Sequence, residues 1–127
     1  MRNGMISPEL PTPAGPYSHV VTAGDLVACS GQGGMASDGT LAAGITAQTE
    51  QCLANVLAAL AVAGAAETDV VKVGVYLTTP DDFAPMNEVY RRVFTDAYPA
   101  RTTVYVGLPP GLLVEVDAMA VIAKEQQ

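Results

Sequence analysis

Residues 45–77 read ITAQTEQCLANVLAALAVAGAAETDVVKVGVYL, and two periodicities meet inside them. Ile45, Cys52, Leu53, Val56, Leu57, Leu60 and Ala63 recur, after an early gap, at spacings of three and four, which is the stripe of an amphipathic helix over 45–63. Gly64 stands just beyond the stripe, where a glycine suits the C-terminal cap. From Val70 to Leu77 the spacing collapses into a β-branched, nearly continuous apolar run, the signature of a strand covered on at least one face. A helix handing over to a buried strand within so short a span points to helices layered on a sheet.

The same reading extends outward in both directions. Pro80-Asp81-Asp82 opens a second helix with acidic residues in its first turn, and Phe83, Met86, Asn87, Tyr90 and Phe94 form its stripe. Thr102–Val106 and Val114–Ala123 are the last two strands, joined through Leu108-Pro109-Pro110-Gly111. Upstream, Ser18–Thr22 and Leu26–Ser30 flank Ala23-Gly24-Asp25, a short hairpin signal. Residues 31–44 are rich in glycine and turn residues, with "SDGT" at 37–40 as a turn that a short strand near 35–42 would flank. The proline-rich opening through Pro16 reads as an extended arm without helix or central strand. The expected order is β-β-α-β-α-β-β, an α+β fold with two helices on one face of a mixed sheet, and residues 1–127 read as one domain with 1–14 as its arm.

Composition narrows the function. Of 127 residues, 13 are acidic and 6 basic, a net charge of −7, so no basic face exists to displace counterions from phosphates, and anionic membranes repel the chain. Arg91-Arg92, the single basic pair, reads as a solvated helix face. The opening has no apolar core of a secretory signal and Leu53–Ala66 is too short to span a bilayer, so a cytoplasmic protein is expected. Cys29 and Cys52 lack metal-ligand or redox spacing and read as buried small hydrophobes. His19, the one histidine, reads as a surface residue near the hairpin.

Charge is scarce, at 15% of residues, yet Arg101 opens one apolar run and Glu115 sits inside the next. Alternation puts Arg101, Thr103 and Tyr105 on one side of their strand and Glu115, Asp117 and Met119 on one side of theirs, with Val114, Val116, Ala118 and Ala120 turned to the helices. Two readings fit. Glu115 and Asp117 decorate a solvated sheet face, or a guanidinium takes a substrate carboxylate in a bidentate pair while a carboxyl group moves a proton nearby.

Other stretches bear on the choice. "GPYSH" at 15–19, "SGQ" at 30–32, "QTEQCLANVLAALAVAGA" at 48–65, "DVVKVGVYLTTPDDFAPMNEVYRRVF" at 69–94, "PARTTVYVGLP" at 99–109 and "VEVDAMA" at 114–120 together resemble the RidA family, also called YjgF or the reactive intermediate deaminases. The resemblance implies a chorismate-mutase-like α+β fold, a homotrimer with active sites in clefts between subunits, and hydrolysis of reactive enamines and imines to 2-oxo acids and ammonia without metal or organic cofactor. Carried over by motif, Arg101 after "PA" binds the substrate carboxylate and Glu115 of "VE" handles a proton or positions water. Tyr17 lines the cleft, Ser30 and Gly31 border it, and Asn87 stands beside it.

The chain departs from the family pattern at three places. Thr103 stands where a cysteine is common two residues after the arginine, leaving a backbone carbonyl there to hold water. His19 replaces a glutamine, and "GGM" follows "SGQ". These changes bear on substrate range, so an aminoacrylate- or aminomuconate-type enamine deaminase and a non-catalytic ligand-binding trimer stand as alternatives. Lys72, Tyr105 and Asp117 carry only a structural reading, and an acidic chain with one histidine is poorly equipped for cleaving RNA.

Overall fold

The computed structural model describes residues 1–95 and 97–122. Strands β1 (Asn3–Met5), β2 (Val20–Ala23) and β3 (Leu26–Gly33) lead into helix α1 (Gly44–Val62); β4 (Val70–Leu77), α2 (Phe83–Val93), β5 (Ala100–Tyr105) and β6 (Val114–Val121) follow. One six-stranded sheet takes the order β1-β2-β3-β6-β4-β5. Every pairing is antiparallel except β4 with β5, which are parallel because α2 carries the chain back across the sheet between them. The mixed sheet with two helices is the expected α+β architecture.

The local causes are those the sequence offers. Gly64, with φ +83°, adopts the left-handed conformation that ends α1 without strain. A helical turn at Pro80–Asp82 precedes α2, and the Thr79 hydroxyl accepts a hydrogen bond from the Asp81 N–H. Val73, Val75 and Leu77 of β4 and Val114, Val116, Ala118 and Ala120 of β6 point into one core with Leu53, Val56 and Leu60 of α1, Met86 and Val89 of α2, and Phe94 just beyond α2. Each fully buried side chain of this size contributes roughly 1.5–3 kcal/mol. None of the described helices is long and apolar enough to cross a membrane.

Three features differ from expectation. Asn3–Met5 joins the sheet as an edge strand against β2; three residues of NGM carry no strand signature, and the pairing is made by backbone alone. Around the turn at residues 37–40 there is one bridge, Met35 with Leu41, rather than a strand. His19 is buried at 2% exposure, because the N-terminal arm folds over it. The last strand ends at Val121, and the end expected for it, Ala123, lies outside the described residues.

Among the described residues, no helix covers the sheet's other face. Leu26, Val104, Met119 and Val121 lie on it partly exposed, around the polar group of Glu115, Asp117 and Tyr76, whose hydroxyl donates to Asp117 Oδ2 at 2.7 Å.

Candidate active site

The candidate residues fall into two groups, one on each face of the sheet. Arg101 lies on β5, the sheet's edge strand, directly across from Val73, whose side chain is fully buried under the helices. Arg101 therefore faces the helix layer. Its guanidinium sits 4.7 Å from the centroid of the Tyr90 ring and 5.8 Å from that of Phe83, both supplied by α2. Rings that cradle a guanidinium in this way fix its plane while leaving its N–H groups free to donate. The ion pairs found among the described residues are Arg91–Glu88 and Arg92–Glu50, so no carboxylate there neutralises Arg101.

Around this cation, Asn87, Tyr90, Arg91, Tyr98 and Pro99 complete the walls of a cavity of about 290 Å³. Asn87 and Tyr90 share one face of α2 because three residues make nearly one turn. The Thr103 hydroxyl, two residues along β5 on the same side as Arg101, is buried with no hydrogen-bond partner among the described residues. Buried polar groups are seldom left so. Burial raises the Tyr90 hydroxyl's pKa, and the charge of Arg101 and a side-chain hydrogen bond with it offset only part of that.

The second group is on the open face. Glu115 sits in β6 between Gly33 of β3 and Tyr76 of β4. The pairing of β3 with β6 shifts register between Cys29 and Gln32, and the irregularity brings Gly31 against the carboxyl group: a Cβ on residue 31 would lie 2.5 Å from Glu115 Oε2. Glu115 is half-buried, and its pKa is raised, first by burial and then by the charge of Asp117. A cavity of about 240 Å³ opens beside it, with Tyr17, His19 and Gly31 among its lining and Pro11, Thr12 and Ala14 of the arm forming one wall.

Hydrogen bonds between side-chain amides and the backbone shape this second cavity. Gln48 of α1 donates to the Ala42 and Gly111 carbonyls and accepts from the Leu113 N–H; Asn55 donates to the Gly33 and Met35 carbonyls. Two buried amides on one helix thus tie down both loops that rim the site. The Tyr17 hydroxyl accepts from the Ala14 N–H at 3.1 Å. Ser30 donates its hydroxyl to the Ser18 carbonyl at 2.6 Å and lines, with Tyr17, a wider cavity on the other side of the arm.

The structure thus brings Tyr17, Gly31 and Glu115 together, with Ser30 adjoining, and separately brings Arg101 and Asn87 together, with Thr103 two residues along the strand from Arg101 and outside the lining of that cavity. It does not unite the two groups within one chain. Arg101 and Glu115 are two strands and three residues apart on opposite faces, about 14 Å between backbones by strand geometry. Alternation along a strand tells which residues share a side, and says nothing of which side the helices cover.

His19 and Tyr90 were not read from the sequence as site residues. Tyr90 carried a signal, one turn beyond Asn87. His19 stood out as a departure from the family pattern, but its burial carried no signal, since its partners lie eight and twelve residues upstream in an arm that reads as extended. Both cysteines are free and buried, and burial pushes the Cys29 thiol up to about 12, so it does not serve as a nucleophile near neutral pH.

An edge-strand arginine cradled by aromatic rings stands on the helix side of this α+β sheet, and a half-buried carboxyl stands on its open face. Residues 8–122 match the family model for endoribonuclease L-PSP, and the chain belongs to that family, the RidA or YjgF family. A RutC family protein of Pyrococcus horikoshii is 41% identical over 94% of this chain and 98% of its own. A 2-iminobutanoate/2-iminopropanoate deaminase of Capra hircus is 38% identical over 89% of this chain and 85% of its own. The crystal structure of RidA from an Antarctic Psychrobacter superposes with a TM-score of 0.91 at 38% identity, covering 94% of this chain and 99% of that one.

Proposed function

We propose that this protein hydrolyses 2-imino acids, and the enamines in equilibrium with them, to 2-oxo acids and ammonia. The observation that carries the reading is Arg101: a guanidinium held on the Tyr90 ring, with no carboxylate partner among the described residues, at the wall of a cavity of about 290 Å³. A fork of this kind fits a carboxylate bidentately. The deaminases among its relatives supply the chemistry beside that carboxylate.

In this reading copies of the chain assemble as a homotrimer that covers the apolar open face. Each site joins the Arg101 group of one copy to the Glu115 group of the next. Arg101 pairs with the substrate carboxylate, while Glu115 and a backbone carbonyl near Thr103 direct a water at the imine carbon. Starting from the iminium form, the water oxygen bonds to that carbon, the C=N pair moves onto nitrogen, and one water proton passes to Glu115, giving a carbinolamine. Glu115 returns that proton to nitrogen; the carbon–nitrogen bond then breaks as the hydroxyl proton passes to the Glu115 carboxylate and the carbonyl forms, and the departing ammonia takes that proton away as ammonium. A carboxyl group with a raised pKa is suited to these transfers, and acid–base help of this sort supplies roughly 10²–10⁴-fold.

RNA cleavage fits less well. The net charge is −7, and the one histidine is buried with both ring nitrogens engaged. The test is direct. 2-Imino acids are generated in situ by an amino-acid oxidase or threonine dehydratase, semicarbazide competes for them, and the rate of 2-oxo acid formation is followed. The protein should accelerate it; no acceleration, with 2-oxo acid still bound, would leave a ligand-binding trimer instead of an enzyme.

A further inference from the structure

His19 replaces the glutamine that the family pattern places after "GPYS", and neither the proposed chemistry nor the sequence accounts for it. The ring is 2% exposed, and both its nitrogens are used. The Ser7 N–H lies 2.9 Å from Nδ1, and the Pro11 carbonyl lies 2.8 Å from Nε2. A backbone N–H only donates and a carbonyl only accepts. Nδ1 must therefore be the acceptor, Nε2 must carry the proton, and the ring must be neutral. Its own backbone is fixed as well: the His19 N–H donates to the Met5 carbonyl, and the Ser30 N–H donates to the His19 carbonyl.

What this ring holds is one wall of the Glu115 cavity. Residues 7–11 hang from its two nitrogens, Leu10 is buried in the core between those attachments, and the chain continues as Thr12, Ala14 and Tyr17 around the cavity. Gly31 and Glu115 stand on the β-sheet side of the same space. Leu10 anchors the arm by apolar burial, which fixes depth but not rotation; two directional bonds to one rigid ring fix the rest.

We propose that His19 is a positioning residue that sets the arm wall beside Glu115 and thereby the room allowed to the substrate's side chain. The inference rests on the imine-hydrolysis reading only for the word substrate. Histidine and glutamine place an acceptor and a donor at similar separation, so either residue can bridge Ser7 and Pro11, whereas asparagine is too short to reach both and leucine reaches neither.

The experiment compares His19→Gln, His19→Asn and His19→Leu in the full chain. Amide exchange at Ser7 and Ala14 reads the arm. Titration with 2-oxobutanoate, and kinetics with 2-iminobutanoate and the six-carbon 2-imino acid derived from leucine, read the site. In His19→Leu the Ser7 amide should exchange roughly tenfold faster or more, as loss of such hydrogen bonds implies, and KM and the 2-oxobutanoate Kd should rise by a similar factor with kcat within about twofold. Glutamine should restore both readouts and asparagine should fall between. If the leucine variant does not fold, the glutamine–asparagine pair carries the comparison.

Unchanged exchange at Ser7 would overturn the proposal. So would a loosened arm with unaltered KM and Kd, or a glutamine variant no better than asparagine or leucine. If the wild-type protein turns over no imine, the proposed function fails by itself, and exchange at Ser7 and Ala14 still decides whether His19 holds the arm.

Discussion

The two faces of the sheet solve one problem by different means. Arg101 is fixed by regular structure: a strand presents it, a helix places Tyr90 and Phe83 beneath it, and the register of β5 on β4 sets its height. Glu115 is on a regular strand too, but everything around it is irregular: a β-bulge, two loops tied to Gln48 and Asn55, and an arm hung on His19. The helix side holds a charge by stacking, and the open side shapes a space by hydrogen bonds from side chains to the backbone. Substitutions should accordingly act on binding at the first and on proton transfer and substrate fit at the second.

The largest effect is expected at Arg101. Arg101→Lys keeps the charge but loses the planar fork and its stacking, and should lower kcat/KM by about 10²-fold or more with little change in melting temperature. Near-normal turnover would move the carboxylate clamp elsewhere. On the other face, Gly31→Ala tests whether the space against Glu115 matters. The added methyl presses on the far end of a flexible side chain, so stability should change by less than about 1 kcal/mol, while kcat should fall by about tenfold as the carboxyl is displaced. If Glu115 merely faces solvent, the variant will be silent.

Tyr90→Phe sharpens the contrast from beneath Arg101. Removing the hydroxyl keeps the ring beneath the guanidinium and loses only the hydroxyl's contact with Arg101, so stability, measured by denaturant unfolding, should change by less than about 1 kcal/mol. A larger loss would mean that the hydroxyl, and not the ring alone, holds Arg101 in place.

The smallest effect expected is a pH dependence. Burial and Asp117 raise the Glu115 pKa, so the folded protein binds that proton more tightly than the unfolded chain does. Stability is then lost as pH rises through the range between the unfolded and folded values. Glu115→Gln removes this loss: its melting temperature should exceed that of the wild type at pH 7, and the gap should close near pH 4. A gap that widens towards acid would reverse the assigned sign.

Much of this architecture was open to reading from residues alone. The period change between Ala63 and Val70 marks α1 and β4 with nearly their observed limits, since apolar spacing is the force that makes those elements. The alternation through Val114–Ala120 correctly turns Glu115 away from the core. Two things were hidden for physical reasons. Arg101, Thr103 and Tyr105 are all polar or amphipathic, so nothing in their strand reveals that this side meets the helices; the observed register against Val73 does. The burial of His19 depends on an arm whose sequence shows only that it is not helical, and contacts made by backbone atoms leave no trace in residue type.

The central claim is that each site takes Arg101 from one chain and Glu115 from another. Arg101→Lys and Glu115→Gln proteins, each inactive alone, are mixed in equal amounts, unfolded, refolded together and assayed for 2-imino acid hydrolysis. Random assembly places an intact arginine beside an intact glutamate at about one quarter of the interfaces, so about one quarter of wild-type activity should return. If each site lay within a single chain, every site in the mixture would carry one defect, and no recovery of activity would contradict the account.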